Sequence, residues 1–210
     1  MENHDCRDHW DADYRQRGNL YTGASRSLPL LPAGSRVLEI GCGNGKSLSA
    51  MVHREWIVTG IDFSPQALIL ARPVALQGFR ADLVVADASS LPFHDGSFDA
   101  VSACHVLGHG RGDERRKMAA EIFRVLRPGK QLLFCDFSTR DFRYGSGRET
   151  EAGTYVRGSG ILTHYFSHEE VVALFAPLVP VTVRYDEWSL RVRGHDYPRS
   201  EISATFEKPV

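Results

Sequence analysis

VLEIGCGNGKS, residues 37–47, is a short apolar run that breaks into a glycine-rich turn. Its last three residues, Gly45-Lys46-Ser47, end as a phosphate-binding P-loop ends. A P-loop also needs glycine at position 40, and residue 40 is Ile. The dinucleotide fingerprint Gly-x-Gly-x-x-Gly fails too, because Gly41, Gly43 and Gly45 bring the third glycine one residue early. Glu39 precedes the turn. A carboxylate there repels a pyrophosphate and favours a ligand that carries positive charge.

Outward from this turn, strands and helices alternate. The apolar runs RVLEI (36–40), WIVTGID (56–62), LVVAD (83–87), FDAVSAC (98–104) and QLLFCDF (131–137) read as strands. They are continuously apolar, as parallel strands covered on both faces are. Gly45 to His53 reads as a helix, and Ser64-Pro65 as an N-cap and first residue of another over 66–72. Asp113 to Leu126 reads as a third helix, stopped by Arg127-Pro128-Gly129. Residues 138–164, with five glycines, read as a long irregular insert. Ser167 to Phe175 reads as a helix with Ser167 and Glu170 in a capping box. PVTVRYDEW (180–188) and EISATFE (201–207) alternate apolar and polar, as an exposed antiparallel edge does. At the N-terminus, Trp10 and Tyr14 share one face of a helix over 8–17 that Gly18 ends. The pattern is an open α/β sheet in one domain.

Open sheets bind ligands at the carboxyl ends of their strands. Asp62 ends the second strand, placed to accept from two ribose hydroxyls. Asp87 ends the third, placed for an adenine amino group, with the Ala88 N–H for a ring nitrogen. Cys104 and His105 end the fourth, beside the reacting centre. S-adenosylmethionine carries an ammonium and a sulfonium that suit Glu39, while its carboxylate suits the N–H groups after Gly45. Other readings stay open: a strand-end Asp is often a cap, and Cys42 and Cys104 also fit as small core residues.

With these residues in view, the chain resembles the class I S-adenosylmethionine-dependent methyltransferases. The resemblance rests on VLEIGCGNGKS, GIDFS (60–64), VVADASSLPFHDGSFDAVSA (84–103) and EIFRVLRPGKQLLF (121–134). It implies a Rossmann-like α/β sheet of seven strands, helices on both faces, the last strand inserted antiparallel. It also implies that Glu39, Gly41, Cys42, Gly43 and Gly45 meet the methionine end, Asp62 the ribose, Phe63 the adenine face, and Asp87 and Ala88 the base. WDADYR (10–15) resembles the lid helix of small members, so Trp10 and Tyr14 would cover the cofactor. Ordinary helix packing is the alternative. Lys130 departs from the second glycine common in that family.

Methyl transfer from a sulfonium needs chiefly alignment and dryness, so catalytic residues are not legible. His105, His109, Tyr155, His164 and Tyr165 are candidates for positioning or proton removal, and Arg157 for substrate contact. The spacings His105/His109 and His164/His168 suit paired imidazoles on a helix, but no third ligand follows, so no metal is expected. Acceptor choice falls to residues 1–28 as lid, the stretch 104–112, and the insert 138–165. Residues 138–200 carry eight Arg against eight acids, which disfavours a broad phosphate-tracking surface. The tail 153–175 with EISATFEKP (201–209) nevertheless resembles transfer-RNA 3-methylcytidine methyltransferases. Those usually carry a longer N-terminal RNA-binding segment than this sequence has. The expected acceptor is therefore a small molecule or a protein side chain, with RNA as the alternative and a non-catalytic binding module as a third.

Bulk properties agree. The chain has 210 residues, 42% hydrophobic and 24% charged, with a net charge of −1 that draws it to neither DNA nor membrane. Cys6, Cys42, Cys104 and Cys135 form no CxxC pair and read as free thiols in the cytoplasm. The first residues are polar, unlike a secretory signal.

Overall fold

The computed structural model describes residues 3–18, 30–77, 81–158 and 160–210. The expected lid is described only as far as Gly18; residues 19–28 lie outside the described residues. Helix α1 covers Asn3–Arg17, starting earlier than Trp10 and Tyr14 alone required.

The central sheet has seven strands. Strands β1 (Arg36–Ile40), β2 (Ile57–Asp62), β3 (Ala81–Val85), β4 (Phe98–Cys104) and β5 (Leu126–Phe137) are parallel. Three short strands follow, β6 (Arg148–Glu151), β7 (Thr154–Val156) and β8 (Leu162–His164), then a hairpin of β9 (Val179–Val192) and β10 (His195–Glu207). The order is β3-β2-β1-β4-β5-β10-β9, with β10 inserted antiparallel between β5 and β9. The chain direction across the sheet reverses between β1 and β4, which opens a crevice at their carboxyl ends.

Alternate residues of each strand feed two cores. Leu38 and Ile40 of β1, with Val101 and Ala103 of β4, pack with helix α4 (Gly112–Val125) and helix α5 (His168–Leu174). Val37, Val58 and Ala100 face the other way, onto Leu48 and Met51 of α2 (Leu48–Met51) and Leu68 and Ala71 of α3 (Pro65–Ala75). Helix α3 starts as expected: the Ser64 hydroxyl accepts from the Ala67 N–H at 3.1 Å and Pro65 fills the first turn.

Several boundaries differ from the sequence reading. The helix expected from Gly45 shrinks to α2, because Gly45 takes φ +87° and closes a turn with Cys42. Strand β3 ends at Val85, so Asp87 sits two residues past it, in the turn. Arg127-Pro128-Gly129 does not separate α4 from the next strand; β5 already begins at Leu126, pairs with Phe98, and slips register before Gln131. The insert is not irregular: β6, β7 and β8 form a small antiparallel sheet. The capping box at α5 is half made, since Glu170 N–H donates to Ser167 at 3.2 Å while the Glu170 carboxylate turns to His164. No helix among the described residues is long and apolar enough to cross a membrane.

Candidate functional site

A cavity of about 60 Å³ lies at the carboxyl ends of β1, β2 and β4. Trp10 and Tyr14 of α1 close one side. Gly41, Asp62, Phe63, Ala88, His105 and His109 line the rest, with Ile40, Ile61, Ala86 and Val106 as apolar floor.

The glycine turn is shaped by necessity. Gly41, Gly43 and Gly45 all take positive φ, which L side chains rarely adopt. A Cβ on Gly41 would overlap Val106, and one on Gly43 would press the Tyr14 hydroxyl at 2.7 Å. The Gly43 N–H donates to Asp62 Oδ2 at 3.0 Å, and the Ser64 N–H to Asp62 Oδ1 at 2.9 Å. Asp62 thus ties the turn to the start of α3. Burial raises its carboxyl to about 6, against the pull of those two N–H groups, with Asp11 adding repulsion.

Glu39 is buried below the turn. Burial pushes its carboxyl up to about 8, with Cys104 and Asp62 adding repulsion and a Ser47 hydrogen bond opposing it. Its Oε2 has no hydrogen-bond partner among the described residues. Cys42 is a buried core thiol against Gly60, its ionisation suppressed first by burial and then by Glu39 and Asp62. Asp87 acts locally as a turn cap: its Oδ1 accepts from the N–H and the hydroxyl of Ser89, both at 2.8 Å. The cavity touches its neighbours Ala86 and Ala88 rather than Asp87 itself.

Helix α1 is anchored. Asp11 Oδ1 accepts from the Ser64 hydroxyl and, at 3.4 Å, from the Gln66 N–H. The Trp10 ring meets Tyr14 at 5.7 Å and, edge-on, His109 at 4.8 Å. Sequence reasoning missed Asp11, although it lies inside the WDADYR motif.

It also missed Asp136. This fully buried carboxylate ends β5 and accepts from the Gly108 N–H at 2.8 Å. Burial would raise its pKa, but His105, His109 and the Gly108 N–H outweigh that and hold it low. The strand-end rule that found Asp62 would have found Asp136 had it been carried to the fifth strand. His105 takes φ +56°, with Nδ1 3.6 Å from Asp136 and Nε2 3.0 Å from Glu201. Nδ1 is buried without a hydrogen bond. His109 donates from Nδ1 to the Leu162 carbonyl at 2.7 Å, and burial lowers its pKa.

Neither histidine pair lies on one helix. His105 and His109 flank a 3-10 turn (Leu107–His109), and both face Asp136. His164 ends β8, between Thr154 and Glu170, at 2.7 Å from each. The ligand atoms of His105, Cys135 and Glu201 fall within 4.8 Å of one another, a mixed donor set that spacing along the chain does not reveal. Tyr155, Arg157 and Tyr165 come together outside the cavity: Arg157 donates to the Tyr165 hydroxyl at 3.0 Å, and the two phenol rings sit 6.1 Å apart.

Residues 37–129 match the methyltransferase-domain family. A tRNA N(3)-methylcytidine methyltransferase of Drosophila melanogaster is 30% identical over 231 aligned positions, covering 96% of this chain and 71% of the relative. The chain belongs to the class I S-adenosylmethionine-dependent methyltransferases. A demethylmenaquinone methyltransferase of Clavibacter sepedonicus is 39% identical over 107 residues, 51% of this chain and 43% of that one. The chain thus spans less than half of that relative's length. Among solved structures, an S-adenosylmethionine-dependent methyltransferase of Methanosarcina mazei superposes with TM-score 0.71 at 27% identity, over 86% of this chain and 95% of that one.

The methyl donor of this methyltransferase family is S-adenosylmethionine, and the residues present fit it. Glu39 is desolvated, and among the described residues no cation contributes to its electrostatics and its Oε2 has no hydrogen-bond partner, which suits an ammonium. The glycine turn leaves room where any Cβ would intrude.

Proposed function

We propose that the protein transfers the methyl group of S-adenosylmethionine to a small-molecule or protein acceptor presented beside His105. The observation that carries this reading is the glycine-lined cavity at the sheet's switch point, with an uncompensated buried carboxyl beneath it. When bound, the cofactor supplies a methyl group already activated on a sulfonium. The chain's part is to hold and enclose.

In this reading Glu39, Gly41, Cys42, Gly43 and Gly45 surround the amino-acid end, with Glu39 ionising opposite the ammonium. Asp62 accepts from the ribose hydroxyls with the lone pairs its two N–H partners leave. Phe63, Asp87 and Ala88 surround the adenine, Asp87 after release of one Ser89 contact. Trp10 and Tyr14 exclude water, and Cys104 and His105 border the reacting end. His105 is held between Glu201 on Nε2 and Asp136 on the Nδ1 side, which fixes the ring at the cavity wall. Alignment and dryness then carry the rate. Residues 1–210 act as one unit, lid 1–28 and insert 138–165 framing the acceptor. The buried Cys42 thiol, with no disulfide among the described residues, suits the cytoplasm.

A second reading, methylation of tRNA, is favoured by one observation: the 3-methylcytidine relative aligns with 96% of the chain. Incubation with isotope-labelled donor and separated small-molecule, protein and tRNA fractions decides between them by mass spectrometry. Label in the first two supports the main reading. Label confined to tRNA establishes the second. Tight donor binding without label anywhere leaves a binding module.

A further inference from the structure

Residues 138–200 balance in charge as a whole, but not locally. Asp141 is buried and grips two guanidiniums: Arg143 through Oδ1 and Oδ2 at 2.7 and 3.1 Å, and Arg199 through Oδ2 at 2.7 Å. These bonds hold its carboxyl at about 2, against the upward push of burial. Both guanidiniums lie over the Phe137 ring, at 4.0 and 5.2 Å from its centroid. Phe137 also packs on the His105 ring at 4.5 Å. His105 lines the cofactor cavity, so the guanidinium pair stands one aromatic ring away from the reacting end.

Arg157 adds a third charge. It donates to the Tyr165 hydroxyl at 3.0 Å and has no carboxylate partner among the described residues. Burial raises the Tyr165 phenol, while Arg143, Arg157 and Arg199 all act on it as cations. Three guanidiniums therefore act on the Tyr165 phenol, and only two of them, Arg143 and Arg199, are paired with the buried Asp141. Nη1 of Arg143 and both terminal nitrogens of Arg199 make no hydrogen bond among the described residues. A planar cation with spare N–H groups beside an aromatic wall is the chemistry that binds carboxylate or phosphate.

We propose that Arg143, Arg157 and Arg199 form the subsite that holds an anionic group, carboxylate or phosphate, of the methyl acceptor. The proposal rests on the methyltransferase reading and refines it: the acceptor carries an anion about one ring width from its methylated atom. Asp141 positions two of the three cations. Arg157 is the discriminating residue, because its removal leaves no buried carboxylate unpaired.

The test uses the full chain saturated with S-adenosylhomocysteine and titrated calorimetrically with inorganic phosphate and, separately, with benzoate. At least one probe is expected to bind in the millimolar range. Arg157→Gln should weaken that probe by about tenfold or more, the loss of one charge-assisted contact, while S-adenosylhomocysteine affinity stays unchanged. Binding of phosphate alone points to a phosphorylated acceptor, and binding of benzoate alone to a carboxylated one. Displacement of bound phosphate by tRNA places the anion on an RNA backbone. No binding of either probe, or unchanged affinity in Arg157→Gln, overturns the proposal. Failure of S-adenosylhomocysteine itself to bind would instead sink the methyltransferase reading. Arg199→Lys, which keeps the charge on Asp141 but loses the planar fork, should weaken the same probe and serves as the second variant.

Discussion

Replacing Glu39 with Gln freezes the β1 carboxyl in its neutral shape, so comparison with the natural protein across pH isolates what its charge does. In the free protein burial holds Glu39 at about 8. The gap from 4.5 corresponds to roughly 5 kcal/mol against the ionised form. An ammonium beside it returns the carboxyl to its ordinary range, so cofactor binding near neutral pH must expel a proton. At pH 7 about 0.9 proton should leave per ligand bound, and from pH 6 to 7.5 affinity for S-adenosylhomocysteine should rise about 20-fold, close to 1.8 kcal/mol. Glu39→Gln should bind more weakly at pH 7.5, by about 1.5–3 kcal/mol, and lose most of the slope. Asp62, held at about 6, completes roughly the second half of its titration in this window, a change of at most about twofold, and the Gln variant measures its share. Titration calorimetry in buffers of different ionisation enthalpy counts the proton directly. The sign for stability is opposite. A carboxyl raised by folding stabilises the ligand-free protein below about 4.5, and that contribution is lost as pH rises through 8. Glu39→Gln should therefore melt higher than the natural protein above pH 8. A wild-type affinity flat in pH, or a Gln variant with the full slope, refutes the ammonium assignment.

Asp62→Ala should weaken S-adenosylhomocysteine by at least about 1–3 kcal/mol in calorimetry, because it removes a ribose contact and frees the Gly43 and Ser64 N–H groups. Gly41→Ala, at φ +65° against Val106, should cost about 1–3 kcal/mol in chemical denaturation and abolish measurable cofactor binding. Asp11→Ala releases the lid from Ser64 and Gln66, and stopped-flow fluorescence of Trp10 should show S-adenosylhomocysteine leaving about 5–30-fold faster, with thermal stability little changed. Gly43→Ala pushes on the Tyr14 hydroxyl, so adding Tyr14→Phe should restore part of the affinity lost.

The sheet was legible because parallel strands buried on both faces leave unbroken apolar runs, and because ligands meet such sheets at one edge. That is why Gly41, Asp62, Ala88 and His105, which line the cavity, could be located at the strand tips from the chain alone, their ligand roles being the proposal. The insert was not legible. Its strands β6, β7 and β8 have 4, 3 and 3 residues, too few to show a period, and its glycines serve turns such as Gly153 at φ +72°. Asp87 was placed too near the strand because a strand and the turn after it look alike when both are apolar.

The cluster around His105 marks the deeper limit. His105 directly follows β4, Asp136 is the last residue but one of β5, and Glu201 lies in β10, about a hundred residues from His105 in the chain. Nothing in the spacing joins them; the antiparallel insertion of β10 beside β5 does, by setting Glu201 opposite Phe137. The same pairing brings Arg199 to Asp141 and to Phe137. One topological feature thus brings both Glu201 to His105 and Arg199 to Asp141. In the proposed reading the donor end is local in sequence, drawn from strand tips, whereas the acceptor end draws on the strand that returns last. A chain can therefore keep its donor motifs intact and change its acceptor by altering a few residues of β10 and the insert, which is why the motifs identify the donor and leave the acceptor to be found by experiment.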